Sequence, residues 1–280
     1  MARTCIDSQG FSVTASRLPA AAAIALVLSV PALTSGPVAA TGPATDDTGR
    51  ARFTKVLGYS VQDRPIRAFF RGSPNGANQI VVLGQMHGDE RAGVRTARWL
   101  KRHVDVNKNS GVWIIPTMNP DGFAHNTRQN ARGVDLNRNW PTNGWKSSGY
   151  GTCCWGGPRP ASSPEVRAMR GFLKTLKPDY IASIHQPYGV IASNGKDVAY
   201  EKRLSHRLSL PRTDVSVRAV PQREEPQDRG KTIAPTLTSW YNDVRPGTSV
   251  TIEYVRSPSK RFVRVKASRG LLRSMRAFQR

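Results

Sequence analysis

QIVVLGQMHGDERAGVRTARWL, Gln79 to Leu100, passes from an apolar, β-branched run into a short polar turn and then into a helical pattern. The unbroken apolar run predicts a buried strand over Gln79–Gly84. Val94, Ala97, Leu100 and Val104 recur at helical spacing and predict a helix over Ala92–Val104. His87 and Glu90 stand at the junction in an H-x-x-E spacing. A strand end followed by a first helical turn can aim both side chains into one cleft. Imidazole and carboxylate are ligands of a catalytic zinc, which takes a third protein ligand from elsewhere and keeps one position for water. By itself the spacing fits two polar loop residues equally well.

Outward from that stretch, strands and helices alternate. FTKVLGYSV and IRAFFRG, within Arg52–Gly72, read as two strands joined around Asp63-Arg64-Pro65. Gly111–Pro116 is a further buried strand. Asn119–Ser162 is rich in Gly, Asn, Arg and Trp and has little periodicity; so long a loop in a compact domain is functional or disordered. Ser163-Pro164-Glu165 predicts a helix start, with a cap, a proline in the first turn and an acid near the positive end. That helix runs to Leu176 and stops before Pro178. Asp179–His185 and Thr248–Val255 read as strands. Lys196–Leu208, Ile233–Tyr241 and Arg261–Gln279 read as helices, the last of them basic. This alternation predicts an α/β fold over residues 52–280, a single domain with a central mixed, largely parallel sheet flanked by helices.

The N-terminal part differs in composition. Arg3 and Arg17 precede AAAIALVLSVPALTSGPVAA, which ends in small residues. Residues 1–40 read as a secretory signal cut after Ala40. Pro31 and Ser35 break the run, which is short for a permanent span; an uncleaved anchor is the alternative. Residues 41–51 are small and polar and read as disordered. The expected mature protein is secreted or wall-associated, with no permanent membrane span. The net charge of +23 suggests an anionic partner such as a cell wall or an acidic polymer, or a surface adapted to its surroundings. Lys and Arg are scattered along the chain, and no helix-turn-helix, zinc-finger or RNA-binding signature organises them, so no nucleic acid is expected. Cys5 leaves with the signal. Cys153 and Cys154 are adjacent; a strained vicinal disulfide, pairing between molecules and two free thiols all stay open. No further Cys completes a thiolate zinc site.

DYIASIH ends at His185, and a proline breaks the chain just after. A strand-end His fits the third ligand the first stretch asks for; by itself it reads equally as a structural histidine. His103, His125 and His206 lie in helix or loop patterns and read as surface residues. NTRQNARGVDLNRNWP, Asn126 to Pro141, gathers donors: Arg128, Arg132, Asn137 and Arg138. An Arg fork pairs both oxygens of a carboxylate, and Asn adds a neutral donor.

HGDE, NPDG, R-x-N-x-x-G-V-D-L-N-R-N-W, SIH, and Trp240 ahead of a strand glutamate, Glu253, stand in that order. Over Val81–Tyr254 the chain resembles the zinc carboxypeptidase family. The HGDE spelling and the S-P-E helix start look most like its bacterial murein peptide amidase and cell-wall carboxypeptidase branch. The resemblance implies that His87, Glu90 and His185 hold one zinc ion per chain, and that Asp135 orients His87. It implies that Arg128 polarises the scissile carbonyl and stabilises its oxyanion, and that Asn137 and Arg138 grip a terminal carboxylate. Glu253 is then the general base that takes a proton from water.

Two places depart from the family pattern. Digestive members carry a mobile Tyr before the Trp, where this chain has Gly230-Lys231-Thr232, and Tyr241 does not align with it; no catalytic Tyr is assigned. The murein branch has an acid soon after the zinc His, where this chain has VIAS, Val190–Ser193. The Glu-rich piece Pro221–Asp228 reads as a solvated loop or part of the cleft mouth. The expected function is an exported zinc carboxypeptidase or peptide amidase that cuts an amide next to a free carboxylate, with cell-wall stem peptides as substrate. The alternatives are an amidohydrolase like aspartoacylase or succinylglutamate desuccinylase, and a non-catalytic wall-binding protein.

Overall fold

The apolar runs become the middle of an eight-stranded sheet with strand order β1-β2-β4-β3-β5-β8-β6-β7. The strands are β1 (Ala51–Tyr59), β2 (Pro65–Gly72), β3 (Asn78–Leu83), β4 (Ser110–Ile115), β5 (Tyr180–His185), β6 (Tyr188–Ser193), β7 (Arg212–Asp214) and β8 (Thr248–Val255). The computed structural model describes residues 50–278 apart from 104, 148 and 215–232. The expected signal segment, residues 41–49, the Glu-rich piece, Gly230-Lys231-Thr232, Val104 and Gln279 lie outside the described residues.

β4, β3, β5 and β8 run parallel, while β1–β2, β2–β4 and β6–β8 pair antiparallel. The sheet is thus mixed with a parallel centre, as the alternating pattern predicts. The central strands are buried on both faces, which is why they read as unbroken apolar runs. On one face, Ile80, Val82, Val112, Ile114 and Ile184 pack under α1 (Ala92–His103), α4 (Val198–Leu208) and α6 (Ala267–Ser274). On the other, Val81, Leu83, Trp113 and Ile181 pack against α3 (Pro164–Leu176), α5 (Leu237–Val244), Trp140 and Trp240.

Several elements differ from their sequence reading. β6, which has Gly189 at positive φ near its start, and β7, which has three residues, are strands that the sequence reading misses. The helix expected over Ile233–Tyr241 begins at Leu237, after Thr236 caps the Ser239 amide, and runs on to Val244. The expected C-terminal helix contains a π-turn, Phe262–Lys266, before α6. The long loop holds α2 (Pro120–His125) and a 3-10 turn, Leu136–Arg138. Glu165 lies in the first turn of α3 as expected, but it is fully buried. Its carboxylate accepts from Val61 N (3.1 Å) and Asn130 Nδ2 (3.0 Å), so it pins the β1–β2 turn rather than facing water at a helix end.

The charges that lie scattered in the sequence are gathered by this packing. Arg95, Arg98 and Arg102 are exposed on α1, and Arg264, Arg269 and Arg273 are exposed on and beside α6, which packs against it. Neither α1 nor the chain from Arg256 onward contains an Asp or Glu.

The turn that carries His87 and Glu90 is fixed by a close backbone approach. A Cβ on Gly93, in the first turn of α1, would lie 1.9 Å from the Gly84 carbonyl oxygen at the end of β3. Gly93→Ala must therefore push α1 off the strand. The expected loss is about 1–3 kcal/mol or more, the usual cost of overpacking, read as a lower urea midpoint at unchanged m-value.

Candidate active site

The parallel strands deliver His87, His185 and Glu253 to one region at their carboxyl ends, where open α/β sheets place their ligands. His87 follows β3, His185 closes β5, and Glu253 on β8 is the register partner of His185. The turn after β3 is held by Gln85, whose Nε2 donates to Gly88 O (2.9 Å), and by Glu90 N, which donates to His87 O (3.1 Å). Glu90 sits just ahead of α1. The Ala92 amide there donates to Gln186 Oε1 (2.8 Å), and Gln186 Nε2 donates to Arg256 O (2.8 Å).

His87 Nδ1 lies 2.7 Å from Glu90 Oε1, and His185 Nδ1 lies 2.9 Å from Glu90 Oε2. The two Nδ1 atoms are 3.3 Å apart. All three side chains are buried. Asp135 is an acceptor, so the proton of neutral His87 is on Nε2, which meets Asp135 Oδ1 at 3.0 Å. Its Nδ1 is then a lone pair aimed at a carboxylate. Such a convergence of acceptors calls for a cation between them, and two imidazoles with one carboxylate are a donor set that zinc accepts. On this observation the residues fit the metal.

Asp135 is fully buried. Its Oδ1 also accepts from Asn137 N (2.9 Å), which caps the 3-10 turn, and its Oδ2 accepts from Arg128 Nη2 (2.8 Å) and Nε (3.1 Å). Burial favours the neutral acid, but His87, Arg128 and Arg138 outweigh it and hold the carboxyl well below its ordinary range. Burial likewise opposes the charge on His87, and Asp135 and Glu90 outweigh it, pushing the imidazole up to about 9. Glu90 is held far down by His185 and His87 against its burial.

Arg128 lies against the metal-ligand set. Asp135 pulls two of its nitrogens, and its Nη1 stands 3.2 Å from His87 Nδ1 and 3.5 Å from Glu90 Oε1. Burial disfavours its charge, while Asp135, Glu90 and, more weakly, Cys154 sustain it and raise the pKa. Asn137 Oδ1 accepts from Leu237 N (3.1 Å), which fixes the amide and leaves its NH₂ end as a donor. Arg138 Nη1 donates to Asn137 O (2.9 Å). Arg132 is exposed on the preceding turn. Asn119 caps α2 through Gly122 N and holds the Arg128 loop through Arg128 O (3.3 Å) and Gln129 O (3.2 Å). The Tyr241 hydroxyl is buried and donates to Pro178 O.

Glu253 completes the group. Its Oε2 is buried without a hydrogen-bond partner among the described residues. Burial raises its pKa, His185 lowers it, and Glu90 raises it again; the net shift is upward. A carboxylate beside a metal-ligand set, destabilised as an anion and with an open oxygen, can accept a proton.

The profile of the family described as "Zinc carboxypeptidase" matches residues 46–261. The chain belongs to the zinc carboxypeptidase family. Among curated proteins, it is 31% identical over 150 residues to murein peptide amidase A of Escherichia coli (strain K12), covering 49% of this chain and 61% of that one. It is 28% identical over 172 residues to murein peptide amidase A of Vibrio campbellii, covering 56% and 66%. These matches span less than two thirds of those relatives' lengths. Among solved structures, the murein-tripeptide amidase of Escherichia coli O157 superposes with a TM-score of 0.60 at 23% identity, over 81% of this chain and 93% of that one. Carboxypeptidase A of Helicoverpa armigera gives 0.64 at 15% identity, over 80% and 67%. Both show the same fold.

Two residues of the site escape the sequence reading. Ser183 Oγ lies 3.3 Å from His185 Nε2, and the alternation of side chains along a strand already puts the two on one face. Gln186 ties the start of α1 to the end of β8, a contact that no local pattern announces.

His87→Ala and His185→Ala should each lose most bound zinc, measured by metal analysis of the purified proteins, while Glu253→Gln keeps it. The metal-free protein should also respond to pH. His87 is raised from 6.5 to about 9, so its stabilisation is fully present below about pH 6.5 and is lost as pH rises through about 9. Zinc must displace that proton, so its affinity should climb over the same window; a pH series of zinc titrations checks it.

Proposed function

We propose that this chain is an exported zinc-dependent carboxypeptidase or peptide amidase that hydrolyses an amide next to a free-carboxylate residue in peptidoglycan stem peptides. The observation that carries the reading is Glu253, whose unpartnered buried oxygen stands beside a complete His87–Glu90–His185 set. Zinc held by those three residues would supply Lewis acidity toward a carbonyl and lower the pKa of water. Glu253 takes the proton of the attacking water and passes it to the leaving amine. Arg128, kept cationic by Asp135, supplies charge toward the oxygen that becomes negative, a contribution of roughly 3–4 kcal/mol for a well-placed donor. The Asn137 amide and the Arg138 guanidinium bind the terminal carboxylate and set which bond is presented.

The substrate class rests on three supports. The named murein amidases are among the relatives. Residues 1–40 have the pattern of an export signal. The acid-free helical layer of α1 and α6 suits attraction to an anionic wall polymer. No helix among the described residues is long and apolar enough to cross a membrane. The aspartoacylase-like alternative has no such support: the strand glutamate after Trp240 stands where the carboxypeptidase reading requires it.

Glu253→Gln should keep zinc and lose turnover by at least ~10²-fold, the low end for removal of a general base. Near-normal turnover would assign the base elsewhere. Arg138→Ala should weaken substrates with a free terminal carboxylate far more than their amidated forms, read as separate kcat/KM values. For the substrate, rates on a stem tripeptide, intact sacculi and a blocked Gly-Phe dipeptide are compared at low and high salt. The tripeptide should be preferred, and sacculus binding should fade at 1 M salt, where the Debye length is ~3 Å. Preference for the blocked dipeptide would remove the wall-peptide reading and leave the carboxypeptidase reading standing.

A further inference from the structure

We propose that Cys153 and Cys154 form a reversible thiol–disulfide couple in the wall of the active site, oxidised by small-molecule disulfides, and that its state controls how Arg128 and Asp135 are held. The two Sγ atoms are 3.2 Å apart, in contact but beyond the ~2.03–2.05 Å of a bond. Both residues are partly exposed, so a small disulfide can reach them.

Their loop is tied to the catalytic residues by its backbone. Cys153 O accepts from Gln129 Nε2 (3.1 Å), next in sequence to Arg128. Trp155 O accepts from Asp135 N (2.8 Å). Gly156 O accepts from Asn139 Nδ2 (2.6 Å), beside Arg138. Cys154 is also one of the groups that sustain the Arg128 charge.

Adjacent Cα atoms are ~3.8 Å apart, closer than the ~4.4–6.8 Å at which disulfides ordinarily close. Closing this ring therefore requires the Cys153–Cys154 peptide to turn. Its carbonyl is the one that holds Gln129. A bond closed at such short span is strained, and strained, exposed disulfides are the labile ones. The couple should therefore be readily reduced again.

The exchange balances. One cysteine thiolate attacks a sulfur of the small disulfide, whose S–S bond breaks and releases one thiolate. The neighbouring cysteine thiolate then attacks the protein sulfur of the mixed disulfide and expels the second. The protein loses two electrons and two thiol protons, and the small disulfide becomes two thiols.

The test uses the full zinc-loaded protein, treated with excess oxidised glutathione and then with dithiothreitol. Oxidised chains should be monomeric and lighter by two hydrogen atoms in intact mass. Emission from Trp155, which packs edge-on against Tyr150, should shift. With zinc content unchanged, kcat/KM on a stem tripeptide should fall by at least about five-fold, the equivalent of one ordinary hydrogen bond. Dithiothreitol should reverse all three. The double variant Cys153→Ser/Cys154→Ser, compared with itself before and after oxidant, should show no mass change, no emission shift and no change in kcat/KM. A stable glutathione adduct, an intermolecular dimer, or unchanged mass overturns the proposal. So does a disulfide that leaves both emission and kcat/KM unmoved. The activity arm rests on the peptidase reading. If neither form cleaves the tripeptide, that reading fails, and the couple is still judged by mass and by Trp155 emission.

Discussion

The Asp135 carboxylate is fully buried and shared among His87, Arg128 and the amide of Asn137. A buried carboxylate persists as an anion only if its lone pairs are taken up, so each partner is required as much as it is held. The consequence for His87 is a proton kept on Nε2, so that the neutral ring turns the lone pair of Nδ1 to the ligand set. For Arg128 it is a guanidinium drawn against the ligand set. For Asn137 and Arg138 it is the capped 3-10 turn that carries both. One acid thus orients a metal ligand, a cation and the turn that would bind substrate.

The sheet supplies the other half of the constraint. Register between β5 and β8 sets His185 and Glu253 side by side. Alternation along β5 puts Ser183 on the same face as His185. Glu253 is left with an oxygen that no group among the described residues satisfies, an unfavourable arrangement for stability and a useful one for proton transfer. The elements around it are held by the close Gly84–Gly93 backbone approach and by Gln186, which ties the start of α1 to the end of β8.

The basic character of the chain also takes form only in three dimensions. α1 and the C-terminal segment are far apart in sequence, yet they pack as neighbours and expose arginines, and neither contains an Asp or Glu. The cysteine pair shows the reverse case. Its adjacency is plain in the sequence, while its place against Gln129, Asp135 and Arg128 is a property of the folded loop.

Much of the site was legible in the sequence because it is local. Runs such as QIVVLG and DYIASIH announce buried parallel strands, and HGDE and VDLNRNW carry ligands and donors at spacings set by one turn or one loop. Sequence separation hid the rest. β7 is too short to show a period, and β6, with Gly189 near its start, carries no unbroken apolar run; β6 is recruited by the edge of β8 and β7 by the edge of β6. Glu165 looked like a helix-start acid, and only the distant Val61 and Asn130 make it a buried pin. The orientation of Arg128 depends on competition between Asp135 and its other neighbours, and such competition between charges is decided by distances that residue order does not contain. Propensity and pattern report on neighbours along the chain; burial, register and shared charge report on neighbours in space, which only the tertiary structure brings together.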